Sequence, residues 1–559
     1  MERYMDYKEV YELWKTNPYF DEEDRRELAA LSDEKEIEDR FYKELEFGTG
    51  GLRGIMGIGS NRINKYNVRK ATNGFARFLL DKYGTDVWRG VAVAYDTRNN
   101  SAQYAKETAL AFAANGIPVY LFTFESATPL LSFAVRYYHC VGGVVVTASH
   151  NPKEYNGYKA YDETGCQLLP DDADAVIAKV NAVSVTEAMT TTEEKAVSVG
   201  LLKYIGDEVL KAYSKAVRAA VPELSLTDNA KIKVAYTALH GSGNITVRRV
   251  LQDAGFANVT CVAEQEKPNG DFPTVKSPNP GNEPSMAMVI DLGDRIGADI
   301  AVGSDPDADR AGVAIRYHGE LKFLDGNSMG ALILYYITER LQEKMPAGPF
   351  FVTTIVSGEL ASDIAKSKDV LVFKTLTGFK YIGELMTRYQ DDPNMNFLFG
   401  CEESYGFLAG DYVRDKCAAF AILTLCSACA YYKKQGLELG NIMDRIHSEY
   451  GFYLDSLDNY VFPGKDGADR MKELTASLRT DGKAILPGIK EVKDYAQGTD
   501  GLPPADVLKY FFEDGSWMAI RPSGTEPQIK VYYSTKAPTE AEAEKKYLER
   551  KAVIDRLMV

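Results

Sequence analysis

Val91-Ala92-Val93-Ala94-Tyr95 is an apolar run of strand length that gives way to Asp96-Thr97-Arg98, then to a helical stretch from Ala102 to Asn115 stopped by Gly116, then to a second apolar run, Ile117-Pro118-Val119-Tyr120-Leu121. The same order returns twice. Lys233-Val234-Ala235-Tyr236 passes through His240-Gly241-Ser242-Gly243 into Val247 to Ala254, stops at Gly255 and resumes in Val259-Thr260-Cys261-Val262. Phe350-Phe351-Val352-Thr353-Thr354 leads through Glu359 to Lys366 into Val370-Leu371-Val372-Phe373. Apolar strands alternating with helices across short loops predict parallel sheets covered by helices.

Each repeat adds one more apolar strand with a polar loop at its end: Ser149 in the first, Asp305 to Asp309 in the second, Glu402-Glu403-Ser404 in the third. In open α/β sheets ligands collect beyond the carboxyl ends of strands, so one chemical loop per repeat predicts a cleft shared by three similar domains. After about Phe452 the pattern changes to a helix from Asp466 to Leu478 and a pair of strands around Arg521, a smaller α+β unit. The expected division is 1–206, 207–322, 323–452 and 453–559, with the polar stretch Thr186 to Glu194 and the turn at Asp325-Gly326 as candidate boundaries.

A chain of 559 residues, 45% hydrophobic and 26% charged, has room for three to four domains at roughly 150 residues each. Its net charge of -15 argues against nucleic acid, which needs a basic face to displace counterions. A small phosphorylated substrate needs only a local Arg/Lys pocket. Met1 to Lys8 has no apolar core of a signal peptide, and the apolar stretch Cys417 to Tyr432 falls short of the roughly 20 residues of a membrane span, so no membrane partner and a cytoplasmic location are expected. Seven cysteines give no disulfide framework, and Cys426 and Cys429 form a CxxC without a second ligand pair, inside what reads as a buried helix.

Asp305, Asp307 and Asp309 stand at alternate positions between two apolar strands and can converge on one hard cation. A calcium loop fails, because Arg310 stands where that loop needs Gly and Arg316 where it needs a bidentate Glu; magnesium fits better, leaving a position for a phosphate oxygen. Ser149 taken alone is a turn or capping hydroxyl, yet a phosphoryl group on it would carry about -1.5 to -2 charge and need the cation that the aspartates can hold. Lys159 is placed to neutralise a bridging oxygen or exchange a proton; His150 either orients the loop or serves as base. Arg521-Pro522-Ser523-Gly524-Thr525 combines a guanidinium, two hydroxyls and free backbone N–H groups as a phosphate nest, with Lys530 on the following strand. Phe47 to Gly54 is a second glycine-rich loop, carrying Arg53.

Thr147-Ala148-Ser149-His150-Asn151-Pro152, Asp305 to Arg310, Cys401 to Gly406 and Arg521 to Pro527, in that order and spacing, resemble the α-D-phosphohexomutase superfamily, most closely the longer bacterial phosphoglucomutase/phosphomannomutase group, over nearly the whole chain. The resemblance implies an α/β protein of four domains around a central cleft, three similar with mixed sheets and a smaller α+β C-terminal one. It implies a magnesium-dependent phosphoserine enzyme that interconverts glucose 1-phosphate and glucose 6-phosphate, with glucose 1,6-bisphosphate as intermediate and activator. Carried over by motif, Ser149 is the nucleophile and a metal ligand beside Asp305, Asp307 and Asp309, with Arg310 on the substrate side of the metal. Glu402 and Ser404 read the sugar hydroxyls, Thr377-Gly378 the sugar's orientation, and Arg53 and Lys159 stand on the acid/base side of the phosphoserine as catalytic groups. Arg521, Ser523, Gly524 and Thr525 hold the distal phosphate.

Two positions depart from the pattern. Where some bacterial relatives carry a His near the sugar, this chain has Gly406; the form followed by Arg414-Asp415-Lys416 resembles the glucose-specific branch, implying Arg414 on the substrate side and Lys416 in proton transfer. Lys530 stands where many relatives carry Arg, supplying charge without bidentate geometry. Mannose or pentose phosphates, a metal-dependent phosphatase and a non-catalytic sugar-phosphate binder remain the alternatives, separable by substrate panel and by release of free phosphate.

Overall fold

The computed structural model describes residues 6–485, 487–522 and 528–558. Four sheets follow one another along the chain. The first holds β1 (Leu52–Ile55), β2 (Val91–Tyr95), β3 (Val119–Phe122), β4 (Gly142–Val146), β5 (Tyr155–Asp162) and β6 (Leu202–Ile205). The second holds β7 (Lys233–Thr237), β8 (Asn258–Cys261), β9 (Ile300–Ser304), β10 (Ala311–Tyr317) and β11 (Glu320–Phe323). The third holds β12 (Pro349–Thr354), β13 (Leu371–Thr375), β14 (Asn396–Glu402) and β15 (Gly406–Leu408). The fourth holds β16 (Phe452–Val461), β17 (Ile489–Asp494), β18 (Leu508–Phe512), β19 (Trp517–Pro522) and β20 (Gln528–Ala537), antiparallel throughout.

The three repeats share a topology as well as an order of elements. Each repeat's first strand is flanked in parallel by its second and third, and a return strand pairs antiparallel with the third, giving β5-β4-β2-β3, β10-β9-β7-β8 and β15-β14-β12-β13. The chemical loops occupy the same place in all three, between the third strand and its return. The sheets are mixed because this return strand is needed to bring the chain back from the carboxyl edge.

The first sheet extends further than its periodicity announces. β6 pairs in parallel with β3, so the first sheet continues past Thr186 to Glu194, which begins in a 3-10 turn and ends at the start of a short helix. Before β1, helices at Tyr7–Thr16, Glu22–Ala30 and Glu34–Phe41 close over an aromatic cluster in which Trp14 stacks on Phe20 at 4.4 Å and meets Tyr66 edge-on at 5.7 Å. These helices were not read from the sequence.

Between the second and third domains runs the helix Ala418–Lys433, apolar on all sides and buried along nearly its whole length. A helix with no polar face must be surrounded, and here β9, β10, β15 and neighbouring helices enclose it. Truncating Ile422 or Leu423 to Ala would cost about 2–5 kcal/mol through the cavity left behind. Cys426 and Cys429 are buried in it as thiols. Among the described residues no helix is long and apolar enough to cross a membrane.

Candidate active site

β4 delivers the chain into the Ser149 loop. Thr147 Oγ1 accepts from the Ser149 amide at 2.7 Å and donates to Asp96 Oδ2 at 2.6 Å, which fixes the turn just after the strand. Ser149 adopts φ 51, a left-handed backbone uncommon outside glycine, and its buried hydroxyl donates to Asp305 Oδ2 at 2.8 Å. The hydroxyl of the first domain thus meets the acidic loop of the second. His150 Nδ1 lies 3.2 Å from the same Oγ. Burial first, then the Arg310 and Arg53 cations, push the imidazole well below its ordinary pKa, so the ring is neutral at pH 7.

Asp305, Asp307 and Asp309 are all buried, each offering an oxygen within 4.8 Å of the others. Asp305 Oδ1 accepts from the amides of Asp309 and Arg310 at 3.1 and 3.0 Å, so the loop's own backbone organises it. Asp307 Oδ2 accepts from Thr128 Oγ1 at 2.8 Å and from Lys159 Nζ at 2.9 Å. Asp309 Oδ2 takes Lys416 Nζ at 2.9 Å and Lys159 Nζ at 3.3 Å.

Burial penalises every charge here, and the partners decide which survive. Burial would strip the Lys159 and Lys416 protons, but Asp307 and Asp309 hold the Lys159 pKa above its usual value, and Asp309, Asp415 and Glu402 do the same for Lys416. Burial would likewise raise Asp307, yet Lys159 holds it below the ordinary range. Asp305 is pushed well above that range, by burial and then by Asp307 and Asp309. Two lysines offset two carboxylates, and the third carboxyl is left a cation short. Among the described residues Asp307 Oδ1 and Asp309 Oδ1 are buried without a hydrogen-bond partner, acceptors of the kind a hard divalent cation satisfies. The residues fit a metal.

The third loop closes from the other side. Glu402 Oε1, at the end of β14, accepts from the Gly378 amide at 2.8 Å, tying the Thr377-Gly378 turn to the loop between β14 and β15. Burial raises the Glu402 pKa to about 7 against the pull of Lys416. Ser404 is half-buried in the same loop. Gly406 answers the first departure: a Cβ there would come 2.5 Å from Lys416 Cδ, so its absence makes the path by which Lys416 reaches Asp309. Arg310 Nε is 3.9 Å from Asp309 Oδ1, and Arg53 Nη1 donates to Asn151 Oδ1 at 3.3 Å on the flank of the Ser149 loop.

Arg414 requires a correction. Its side chain is fully buried and donates to Thr387 Oγ1, Gln390 Oε1 and the carbonyls of Asp411 and Val413, with Asp411 Oδ1 at 2.6 Å. A guanidinium so engaged holds the 411–416 turn in place and has no N–H for a sugar phosphate. Only its neighbour Lys416 turns into the cleft. In the fourth domain Arg521 is half-buried and opposite Lys530 across β19 and β20; Ser523, Gly524 and Thr525 lie outside the described residues. Tyr532 feels Glu403 and Glu402 as well as Arg521, which puts the start of this loop near the third domain's site. Thr128 was not anticipated. It opens a helix with an unremarkable Thr-Pro, and only the fold brings it to Asp307.

Sequence models of the phosphoglucomutase/phosphomannomutase α/β/α domains I, II and III match residues 44–187, 211–319 and 325–450, and that of the C-terminal domain matches 474–550. The chain belongs to the phosphoglucomutase/phosphomannomutase family. Its three N-terminal helices precede the first matched domain. Among relatives of this family, the phosphoglucomutase of Staphylococcus epidermidis is 36% identical over 89% of this chain and 92% of its own, and that of Staphylococcus aureus 32% over 90% and 92%. The fold matches the open form of parafusin, a phosphoglucomutase of Paramecium, at a TM-score of 0.71 and 20% identity, over 92% of this chain and 96% of that one. A family protein from Burkholderia thailandensis matches at 0.67 and 16%, over 90% and 96%.

Proposed function

We propose that the protein is a phosphoglucomutase that interconverts glucose 1-phosphate and glucose 6-phosphate, carrying the phosphoryl group on Ser149. The observation that carries this reading is the Ser149 hydroxyl, buried and aimed at Asp305 beside two carboxylate oxygens without partners among the described residues. The staphylococcal relatives, named phosphoglucomutases, support glucose as the sugar. Asp305, Asp307, Asp309 and an oxygen on Ser149 would hold Mg²⁺, which when bound supplies charge neutralisation for the phosphoryl oxygens.

In the forward direction the bond from Ser149 Oγ to phosphorus breaks as the sugar's free hydroxyl bonds to phosphorus, giving the bisphosphate. The proton lost by the sugar hydroxyl is taken up by the Ser149 oxygen as it leaves phosphorus, and the neutral His150 ring, 3.2 Å from Oγ, is placed to pass it on. Lys159 and Lys416, kept charged by their carboxylate neighbours, neutralise phosphoryl oxygens, while Glu402 and Ser404 orient the sugar hydroxyls. The intermediate reorients, and its other phosphate returns to Ser149. Arg521 and Lys530, with Ser523, Gly524 and Thr525, hold whichever phosphate is not reacting. Positioning and charge neutralisation carry such a transfer. Glucose 1,6-bisphosphate serves as activator by phosphorylating resting enzyme.

Turnover of glucose 1-phosphate, mannose 1-phosphate and ribose 1-phosphate should be compared with a trace of glucose 1,6-bisphosphate present. Glucose 1-phosphate is expected to turn over fastest, with label from the bisphosphate on the Ser149 peptide. Stoichiometric release of free phosphate would make the protein a phosphatase, and label on another residue would overturn the assignment of Ser149.

A further inference from the structure

Arg98 lies just beyond β2, in the Asp96-Thr97-Arg98 turn, with its side chain fully buried. Its guanidinium reaches across to the loop between β4 and β5 and captures four backbone carbonyls: Pro152 and Tyr155 through Nη1 at 2.8 and 3.0 Å, Ser149 through Nη2 at 2.6 Å, and Asn151 through the same nitrogen. Asp96 holds the fork from behind, 3.4 Å from Nε, and accepts from Ser101 Oγ at 2.7 Å and from Thr147 Oγ1 at 2.6 Å.

A second set of contacts comes from another domain. Between β8 and β9 the segment from Gly270 to Ser277 lies against the first domain. Phe272 covers Arg98, ring centroid to guanidinium 5.0 Å; Ser277 Oγ donates to the His150 carbonyl at 2.7 Å; Asp271 Oδ1 accepts from Asn99 Nδ2 at 3.1 Å. The approach is close enough that a Cβ on Gly270 would fall 2.3 Å from the Asn99 nitrogen. The carbonyls of Ser149, His150, Asn151, Pro152 and Tyr155 are thus all taken by side chains outside the loop. A non-glycine residue at positive φ is strained and persists where its surroundings over-determine it, and Ser149 at φ 51 is such a residue.

We infer that Arg98 is a positioning residue for phosphoryl transfer: with Phe272 and Ser277 of the second domain it pins the carbonyls of the Ser149 loop, so that docking of the second domain on the first sets the aim of the hydroxyl. The inference rests on the reading of Ser149 as the phosphoryl carrier. Only a planar fork serves four carbonyls at once; a lysine keeps the charge beside Asp96 but not the reach.

The test is Arg98→Lys in the full chain, with Ser277→Ala as the gentler probe from the other domain. For Arg98→Lys, kcat is expected to fall about 100-fold, the cost of a misplaced reacting group, with KM little changed. Hydrogen exchange should quicken in the peptide spanning residues 147–156 and not across the first sheet. Ser277→Ala should show the same pattern with a smaller loss. An Arg98→Lys protein with unchanged kcat, or with a reduced kcat and unchanged exchange in 147–156, would overturn the inference. Should Arg98→Lys fail to fold, Ser277→Ala decides by the same two readings. Ser149→Ala run alongside separates the two ideas: if it turns over normally the reading of Ser149 falls, whereas exchange in 147–156 judges the pinning whatever the chemistry of Ser149.

Discussion

Where the first three domains meet, Asp307 and Asp309 are buried against Lys159 and Lys416 at 2.9 Å; where the third and fourth meet, Lys509 is buried and Asp455 half-buried, and among the described residues neither has an ion-pair partner as close. Lys509 Nζ donates to the Ile355 carbonyl at 2.7 Å and lies 3.8 Å from the Trp517 ring centroid, with the Glu359 carboxylate 3.8 Å away. Burial pushes its pKa well below the ordinary lysine value, and burial raises that of Asp455 to about 8. The first seam keeps its charges by close pairing; at the second, burial drives Lys509 and Asp455 toward neutrality beside the apolar cluster of Ile355, Val356, Leu376, Trp517 and Tyr532, while Glu359 and Asp363 stay charged against Lys374 and Lys536. A cluster of paired charges cannot be pulled apart without stranding them in low dielectric, whereas an apolar contact separates without that penalty. The first seam suits chemistry that needs fixed charge. On the proposed mechanism the second suits a domain that must loosen its hold while the intermediate turns, since domains joined through modest contacts move by default.

The comparison breaks most directly at the charged seam. Ser149→Ala should lower turnover by about 10⁴-fold or more while the melting temperature shifts little, since a covalent role and little packing is lost. Activity of the purified variant, checked for wild-type contamination, decides this, and a variant within tenfold of wild type would remove the nucleophile. Next in size, Asp307→Asn keeps the shape of the loop but takes away one of the charges Lys159 balances. Turnover should fall by roughly 100-fold, and the Mg²⁺ concentration for half activity should rise with it. Chelator should silence the wild type and added Mg²⁺ restore it; full activity in metal-free protein would show that the carboxylates serve the lysines alone.

At the second seam the effects should be smaller and of another kind. Arg521→Ala should slow both directions of the reaction by about tenfold, the loss of a charge-assisted contact, and release more bisphosphate per turnover. Labelled glucose 1-phosphate measures that leak, and normal retention would reduce Arg521 to a turn residue. Smallest is the effect of Asp455→Asn on stability. A carboxyl whose folded pKa lies near 8 keeps its proton in the fold after the unfolded chain has released it, from about pH 4 upward. The folded state therefore loses stability as pH rises from about 4 to about 8 and no further beyond. Asparagine has no proton to lose, so the variant should gain on the wild type across that window, by about 1–2 kcal/mol at pH 8 given the residue's partial contact with water. Melting curves at pH 5 and pH 8 show it; a constant gap would mean that Asp455 is already charged in the fold.

Local pattern carried much of this molecule. Strands starting at Val91, Lys233 and Phe350 were legible because alternating apolar runs and glycine stops are properties of neighbours in the chain, and the Ser149, Asp305 to Asp309 and Glu402 loops were legible because they end such strands. Asp96-Thr97-Arg98 was visible only as a connection, and Thr128 not at all, since their roles depend on partners 51 to 179 residues away. Arg414 and Lys416 sit two positions apart and read as one group, yet one is spent on its own turn and the other enters the cleft through the space at Gly406. What the sequence determined by itself was which residues could do chemistry and on which loops they stand, because residue type and periodicity are local. Which of them share a charge, which turn inward and which are pinned from another domain was decided by the tertiary structure, because the direction of a side chain and the dielectric around it exist only once distant segments have packed.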